Sequence, residues 1–327
     1  MKIAIFGSGS WATAIVKIAC ESHSEVYWWV REEEIAKGVR KFGYNPLYLR
    51  ACELDKHKVK ISTDIKEIVE AARNLVFVIP SAFLADSLMP LGKEDFKGKN
   101  IISAIKGIVP QTHQIVADFM HEQYNIQFEK QAVISGPSHA EEIAAQRLTY
   151  LTVGSSNTTL AEHLAHNFAC RYVKTDVSDD ICGIEYGGVM KNIYALAAGI
   201  CKGLGYGDNF VAVLIAKAIA EMEAFLDKVS PCKRDINRSV YIGDLLVTAY
   251  SQHSRNRTFG QMIGQGYSIA SAQLEMSMIA EGYYAAKSIH TINETLNAAI
   301  PVAESVYRIL YKGACPATEI QTLSENF

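Results

Sequence analysis

Ile3-Ala4-Ile5-Phe6-Gly7-Ser8-Gly9-Ser10-Trp11-Ala12-Thr13-Ala14-Ile15-Val16 is the stretch that decides the fold. A short apolar run breaks at two glycines and resumes with helical spacing. Strand, glycine turn and helix in that order open a dinucleotide-binding βαβ unit. Gly7 permits the tight turn, and Gly9 lets the backbone approach a pyrophosphate. Ala12, in the third position of the motif, is small enough for close helix–strand packing. The helix start then offers N–H groups and a partial positive charge to phosphates. A tight turn without a ligand is the competing reading.

Outward from this turn, apolar or β-branched runs alternate with amphipathic stretches. Expected strands are 2–6, 25–30, 75–79, 100–105, 132–135 and 150–153. Several are apolar throughout, as expected of strands buried on both faces of a parallel sheet. Expected helices between them include 11–20, 65–72 and 112–121, with Asp64 and Glu67 able to cap the second. Beyond about Asp176 the pattern is helical: 185–199, 209–227, 244–251, 271–286 and 302–310. The expectation is an α/β Rossmann-type doubly wound sheet domain, residues 1–183, followed by an all-α C-terminal domain, residues 184–327.

The length of 327 residues suits two domains at ~150 residues each. With 49% hydrophobic residues, the chain can fill a core. Its 32 basic and 35 acidic side chains nearly cancel, so no global field draws it to nucleic acid or an anionic membrane. An anionic ligand therefore needs a local site. The seven cysteines are scattered without a CxxC pair, which fits free thiols in a reducing cytoplasm and argues against a metal site. No apolar run reaches the ~20 residues of a membrane span.

At the ribose position an NAD site usually carries a carboxylate about 20 residues beyond the turn. Here Trp28-Trp29-Val30-Arg31 stands in its place. Arg31 suits a 2′-phosphate, so NADP is preferred over NAD, with Glu32 and Glu33 as competitors for its charge. A carbonyl reductase also needs a proton donor beside the developing alkoxide. Lys106 ends an expected strand at the sheet edge where ligands sit. Lys191, followed by Asn192, lies on an apolar helix, and burial would lower its pKa into a useful range. Asp244 and Thr248 share a helix face at i and i+4, where Asp244 could orient Lys191. Ser254-Arg255-Asn256-Arg257 reads as a cationic turn suited to phosphate. Ser138, with Glu141, reads as the capping box of a helix facing the cleft, and His139 as part of its capping turn. Each of these residues also has an ordinary structural reading when taken singly.

Together the segments closely resemble the bacterial-type NAD(P)-dependent glycerol-3-phosphate dehydrogenases. The resemblance rests on Gly7-Ser8-Gly9-Ser10-Trp11, Asn45-Pro46-Leu47-Tyr48-Leu49, Ile79-Pro80-Ser81, Lys106-Gly107 and Ser135-Gly136-Pro137-Ser138. In the second half it rests on Gly188-Val189-Met190-Lys191-Asn192, Gly243-Asp244-Leu245, Ser254-Arg255-Asn256-Arg257 and Glu281-Gly282. It implies that Ser10, Trp11 and Arg31 contact the dinucleotide, with Lys106, Ala140, Arg255, Ile279 and Glu281 completing its pocket. Lys106, Gly136, Ser138, Lys191 and Asp244 would line the substrate site, and Ser254, Arg255 and Asn256 would surround its phosphate. Lys191 matches the family's proton acceptor in alcohol oxidation, with Asp244 as its partner. His139 and Arg50-Ala51-Cys52 depart from the family's usual residues.

The expected activity is interconversion of dihydroxyacetone phosphate and sn-glycerol 3-phosphate, feeding glycerophospholipid synthesis in the cytoplasm. A phosphorylated small molecule is the expected partner, with no metal, and a homodimer stays open. Another two-domain hydroxyacid or sugar-phosphate dehydrogenase is the second reading, and a non-catalytic NAD(P)H sensor the third.

Overall fold

The computed structural model describes residues 2–276 and 280–327. They form two compact units, one reaching to Ile105 and resuming at Val116–Ile181, the other comprising Lys106–Ile115 and Cys182–Phe327. The loop that carries Lys106 thus leaves the sheet unit and packs within the helical one. A division after residue 183 would have left it with the sheet.

The first unit is built in the order β1 (Ile3–Phe6), α1 (Ser10–Ser22), β2 (Val26–Trp29), α2 (Glu33–Phe42), β3 (Val59–Ser62), α3 (Ile65–Ala71), β4 (Asn74–Phe77) and α4 (Ser81–Leu88). It continues with β5 (Asn100–Ser103), α5 (Val116–Tyr124), β6 (Gln131–Ser135), α6 (Ala140–Ala144), β7 (Thr149–Gly154), α7 (Thr158–Phe168) and β8 (Val173–Ser178). The sheet order is β3-β2-β1-β4-β5-β6-β7-β8. Strands β1 to β6 are parallel; β7 runs antiparallel to β6, and β8 is parallel to β7. The first six strands follow the doubly wound order 3-2-1-4-5-6, whose direction reverses beside β1. Strands β1, β4, β5 and β6 are buried along their whole length, which is why they read as continuous apolar runs.

Register sets the carboxyl edge. Phe6 lies level with Trp29 on β2 and with Phe77 on β4, and Phe77 is level with Ser103 on β5. The turns after these strands therefore open on one edge, and Gly7 begins the first of them. Asp64 caps α3, its carboxylate accepting from the N–H groups of Lys66 and Glu67.

Several local expectations need correction. The helix expected from Thr112 begins at Val116. Before it, Val109 N–H donates to the Gln114 carbonyl and His113 turns left-handed at φ 58°, closing a small loop. Ser138 does not cap α6; its hydroxyl donates back to the Gly136 carbonyl at 2.8 Å, and the extended His139 occupies the cap position.

The second unit contains α8 (Ile181–Gly203), α9 (Asp208–Val229), a π turn at Ser239–Gly243, α10 (Asp244–Tyr250), α11 (Arg255–Gly264), α12 (Ile269–Glu275), α13 (Glu281–Leu296), α14 (Pro301–Lys312) and α15 (Pro316–Glu325). The single helix expected over 271–286 is instead the end of α12 and the start of α13. Gly282 N–H is bonded by the Asn256 side chain, a first-turn donor satisfied from outside, so a new helix starts here. The polar run at Ser254 is not a free turn either: Ser254 accepts from Arg257 N–H and caps α11. Helices α8 and α11 cross with their backbones touching. A Cβ at Gly260 would stand 2.1 Å from the Leu196 carbonyl oxygen, and one at Gly199 would stand 2.1 Å from that of Arg257.

Candidate active site

In the sheet unit, Gly7 has φ 141°, and a Cβ there would lie 2.4 Å from the Val78 carbonyl oxygen. Only glycine fits. A Cβ at Gly9 would meet no atom within 4 Å, so the outer face of the turn is open to an approaching ligand. Gly9 is the N-cap of α1 but offers no side-chain cap, and no acid stands in the first turn. The positive end of the helix dipole is thus left for an anion, and these features fit a dinucleotide pyrophosphate. Buried Asn45 braces the turn from behind. Its amide donates to the Ser8 carbonyl and to Thr13 Oγ1 at 2.9 Å each, while its Oδ1 accepts from Leu47 and Tyr48 N–H. The sequence placed Asn45 in a motif without assigning it this task.

Ser10 opens α1, and the Trp11 indole N–H donates to the Ala104 carbonyl at 2.8 Å. Arg31 N–H donates to Ser8 Oγ, which ties the end of β2 to the glycine turn. The Arg31 guanidinium is mostly exposed and forks onto Glu32 at 2.8 and 3.1 Å, the competitor that the sequence identifies. Gly136 has φ 123°, and a Cβ would lie 2.7 Å from the Tyr150 carbonyl oxygen. Ala140 begins α6 and is buried.

The helical unit holds the charged cluster. Lys106, Lys191 and Asp244 come together from the loop, α8 and α10. Asp244, only 1% exposed, accepts from Lys191 Nζ at 2.5 Å on one carboxylate oxygen and from Lys106 Nζ at 2.8 Å on the other. Lys191 also donates to Thr248 Oγ1 at 2.9 Å, and Thr248 donates to the Asp244 carbonyl. The i, i+4 spacing had placed Thr248 on this face without giving it a role.

Burial by itself would raise the Asp244 carboxyl. The two ammonium groups outweigh that and hold it below the usual carboxylate range. Desolvation pushes Lys191 down; Asp244 opposes this and the charge of Lys106 adds to it, which brings Lys191 to about 7. A lysine in this state can hold or release a proton near neutrality.

Ser254, Arg255 and Asn256 sit at the N-terminus of α11. The Ser254 hydroxyl is the cap. Asn256 is buried, its Nδ2 donating to Asn192 Oδ1 at 2.8 Å and its Oδ1 accepting from Gly282 N–H at 2.9 Å. Arg255 is the exposed member. Asn192 Nδ2 in turn donates to the Lys106 carbonyl at 2.7 Å. Glu281 is the first residue of α13, and Ile279 lies outside the described residues. Among the described residues no group of three His, Cys, Asp or Glu side chains could hold a metal.

Comparison with known proteins places both halves. Residues 2–161 match the NAD-dependent glycerol-3-phosphate dehydrogenase N-terminus, and residues 180–321 match the C-terminus of the same family. A glycerol-3-phosphate dehydrogenase [NAD(P)+] from Exiguobacterium is 31% identical over 98% of this chain and 94% of its own. The crystal structure of glycerol-3-phosphate dehydrogenase from Coxiella burnetii has a TM-score of 0.92 at 28% identity, covering 99% of this chain and 98% of that one. A ketopantoate reductase from Ralstonia eutropha shares only the fold, with a TM-score of 0.60 at 16% identity, covering 98% and 99% of the two chains. The chain belongs to the NAD-dependent glycerol-3-phosphate dehydrogenase family.

Proposed function

We propose that this chain catalyses NAD(P)-dependent interconversion of dihydroxyacetone phosphate and sn-glycerol 3-phosphate, supplying the latter for glycerophospholipid synthesis. The observation that carries the reading is a buried lysine, Lys191, brought to about 7 and held between Asp244 and Thr248. The nicotinamide, when bound, supplies or accepts the hydride at C2. Lys191 gives the proton to the carbonyl oxygen during reduction and takes it from the hydroxyl during oxidation. Asp244 keeps the Lys191 amine aimed and shares its second oxygen with Lys106, which orients the same end of the substrate. Arg255 provides the cation for the phosphate at the N-terminus of α11, while Ser254 and Asn256 fix its backbone. Phosphate binding remote from C2 supplies energy for positioning the carbonyl.

The glycine turn and α1 hold the pyrophosphate, and Arg31 favours NADP by reaching a 2′-phosphate after release from Glu32. A cytoplasmic location is supported by the scattered thiols. A homodimer is supported by Leu246 and Tyr250, exposed one turn apart on α10. The test is loss of NADPH absorbance on addition of dihydroxyacetone phosphate, run beside 6-phosphogluconate and 3-hydroxyacids with NADP. Turnover confined to the first pair is expected. Turnover of the others instead selects the second reading, and no turnover with retained NADPH binding selects the sensor.

A further inference from the structure

The loop from Lys106 to Ile115 is closed on itself and tied at both ends. Val109 N–H donates to the Gln114 carbonyl at 2.9 Å, and His113 N–H donates to the Val109 carbonyl at 2.8 Å. At its root, the Lys106 carbonyl accepts from Asn192 Nδ2. At its tip, His113 Nδ1 and Ser288 Oγ share a hydrogen bond of 2.9 Å, and Ser288 is 1% exposed. Both ties lead back to one helix. Ser288 lies on α13, and the root tie runs from Asn192 through Asn256 to Gly282 N–H at the start of the same helix.

The directions of these bonds are fixed by chemistry. The Lys106 carbonyl can only accept and the Gly282 N–H can only donate, so both asparagine amides point one way along the chain of bonds. His113 also holds φ 58°, in the left-handed region that few residues bearing a side chain adopt. The loop carries Lys106 at its root, where its Nζ must meet Asp244 at 2.8 Å.

We propose that His113 is a positioning residue: bonded to Ser288, it straps the 106–115 loop to α13 and thereby fixes Lys106 against Asp244. This rests on the function proposed above. It adds a residue seven positions from Lys106 whose side chain has no part in the charged cluster. The groups facing Lys191 are Asp244 and Thr248 from α10 and Lys106 from the loop. The Lys106 charge lowers the affinity of Lys191 for a proton. Loosening Lys106 therefore raises it.

Three variants separate the strap from the turn. His113→Gly keeps left-handed freedom and removes the tie, Ser288→Ala removes the other partner, and His113→Asn keeps both left-handed tolerance and a bonding group. With His113→Gly and with Ser288→Ala we expect kcat/KM for dihydroxyacetone phosphate to fall about tenfold, which corresponds to ~1.4 kcal/mol. The midpoint of the pH profile for glycerol 3-phosphate oxidation should move upward from about 7. The double variant should lose no more than either single one, and His113→Asn should recover most of the loss. The exchange rate of the Val109 amide should rise in His113→Gly with Tm nearly unchanged. Wild-type protein that fails to turn over dihydroxyacetone phosphate sinks the proposed function, while Val109 exchange still reports on the strap. The strap is overturned by unchanged Val109 exchange. It is equally overturned, in an active enzyme, by kcat/KM within twofold of wild type with an unmoved midpoint, or by losses that simply add.

Discussion

Lys191 Nζ donates to Asp244 Oδ1 at 2.5 Å, with the two side chains only 6% and 1% exposed. The carboxylate is charged because it serves two ammonium groups, and Lys191 is poised near neutrality because burial works against its charge. Burial thus lowers the proton affinity of this amine, and the one carboxylate that opposes it also sets its aim.

This gives a pH signature of defined sign. The Lys191 pKa is depressed to about 7, so the neutral amine predominates above that pH. On the proposed role of Lys191, oxidation of glycerol 3-phosphate needs the neutral form, and its kcat/KM should rise with pH through about 7 and then level. Reduction of dihydroxyacetone phosphate would need the ammonium, and its kcat/KM should fall over the same range. Lys191→Met should reduce turnover by ~10²–10⁴-fold and abolish both limbs. Near-normal turnover in that variant would remove Lys191 from the mechanism.

Arg31 poses a competition between a protein carboxylate and a ligand phosphate. Its guanidinium is forked onto Glu32, yet it is mostly exposed and therefore easily redirected. A charge-assisted bond to a 2′-phosphate, weakened by solvent, is worth about 1.5 kcal/mol. Arg31→Ala should raise KM for NADPH about tenfold and leave KM for NADH nearly unchanged. Glu32→Gln should lower KM for NADPH by freeing the fork. Parallel initial rates with the two cofactors decide the matter: an unaltered ratio in Arg31→Ala excludes the 2′-phosphate role.

The parts of this molecule legible in its sequence are those whose signal is local. Ile3–Phe6, the glycine turn and α1 could be read because a buried strand, a required glycine and an apolar helix each leave a mark within a few residues. Strand β3, Val59-Lys60-Ile61-Ser62, leaves little mark in the sequence because its short alternating run follows a charged stretch. Strand β8 carries Lys174, Thr175 and Asp176 at the edge of the sheet, where one side needs no apolar cover. Lys191 and Asp244 were legible as candidates, and their union across 53 positions was suggested but not fixed by spacing. The Asn192–Asn256 bond and the His113–Ser288 bond left no trace at all. Either asparagine read alone is an ordinary polar residue, and only the fold brings its partner within reach.

The crossing of α8 and α11 sets the distance between Lys191 on one helix and Arg255 at the head of the other. Gly199, Gly203, Gly260 and Gly264 let the two backbones touch. In Gly260→Ala the added carbon would stand 2.1 Å from the Leu196 carbonyl oxygen, a backbone atom that cannot swing aside. The helices must part, at a cost of about 1–3 kcal/mol for overpacking. Tm should fall by about 5 °C, and KM for dihydroxyacetone phosphate should rise more than kcat falls, because the phosphate end moves. Thermal melts and steady-state kinetics on the same preparation test this; a variant with native Tm and KM would show that the crossing tolerates separation.

Glu221 ties stability to pH away from the charged cluster. It lies on α9, 5% exposed, and its carboxylate accepts from Val302 and Ala303 N–H at the start of α14. Desolvation raises its pKa to about 7, against the pull of those two N–H groups, while Glu304 pushes it the same way as burial. The folded state therefore binds a proton that the unfolded chain has lost above about 4.5. Stability should fall as pH rises from about 4.5 to about 7, by roughly 3 kcal/mol, and stay flat above. Glu221→Gln keeps an acceptor for the helix N-terminus without the charge, so this slope should vanish. The variant should then equal or exceed wild type in stability at pH 8. Urea unfolding from pH 5 to 8 measures both curves, and an unchanged slope in Glu221→Gln would locate the linkage in another group.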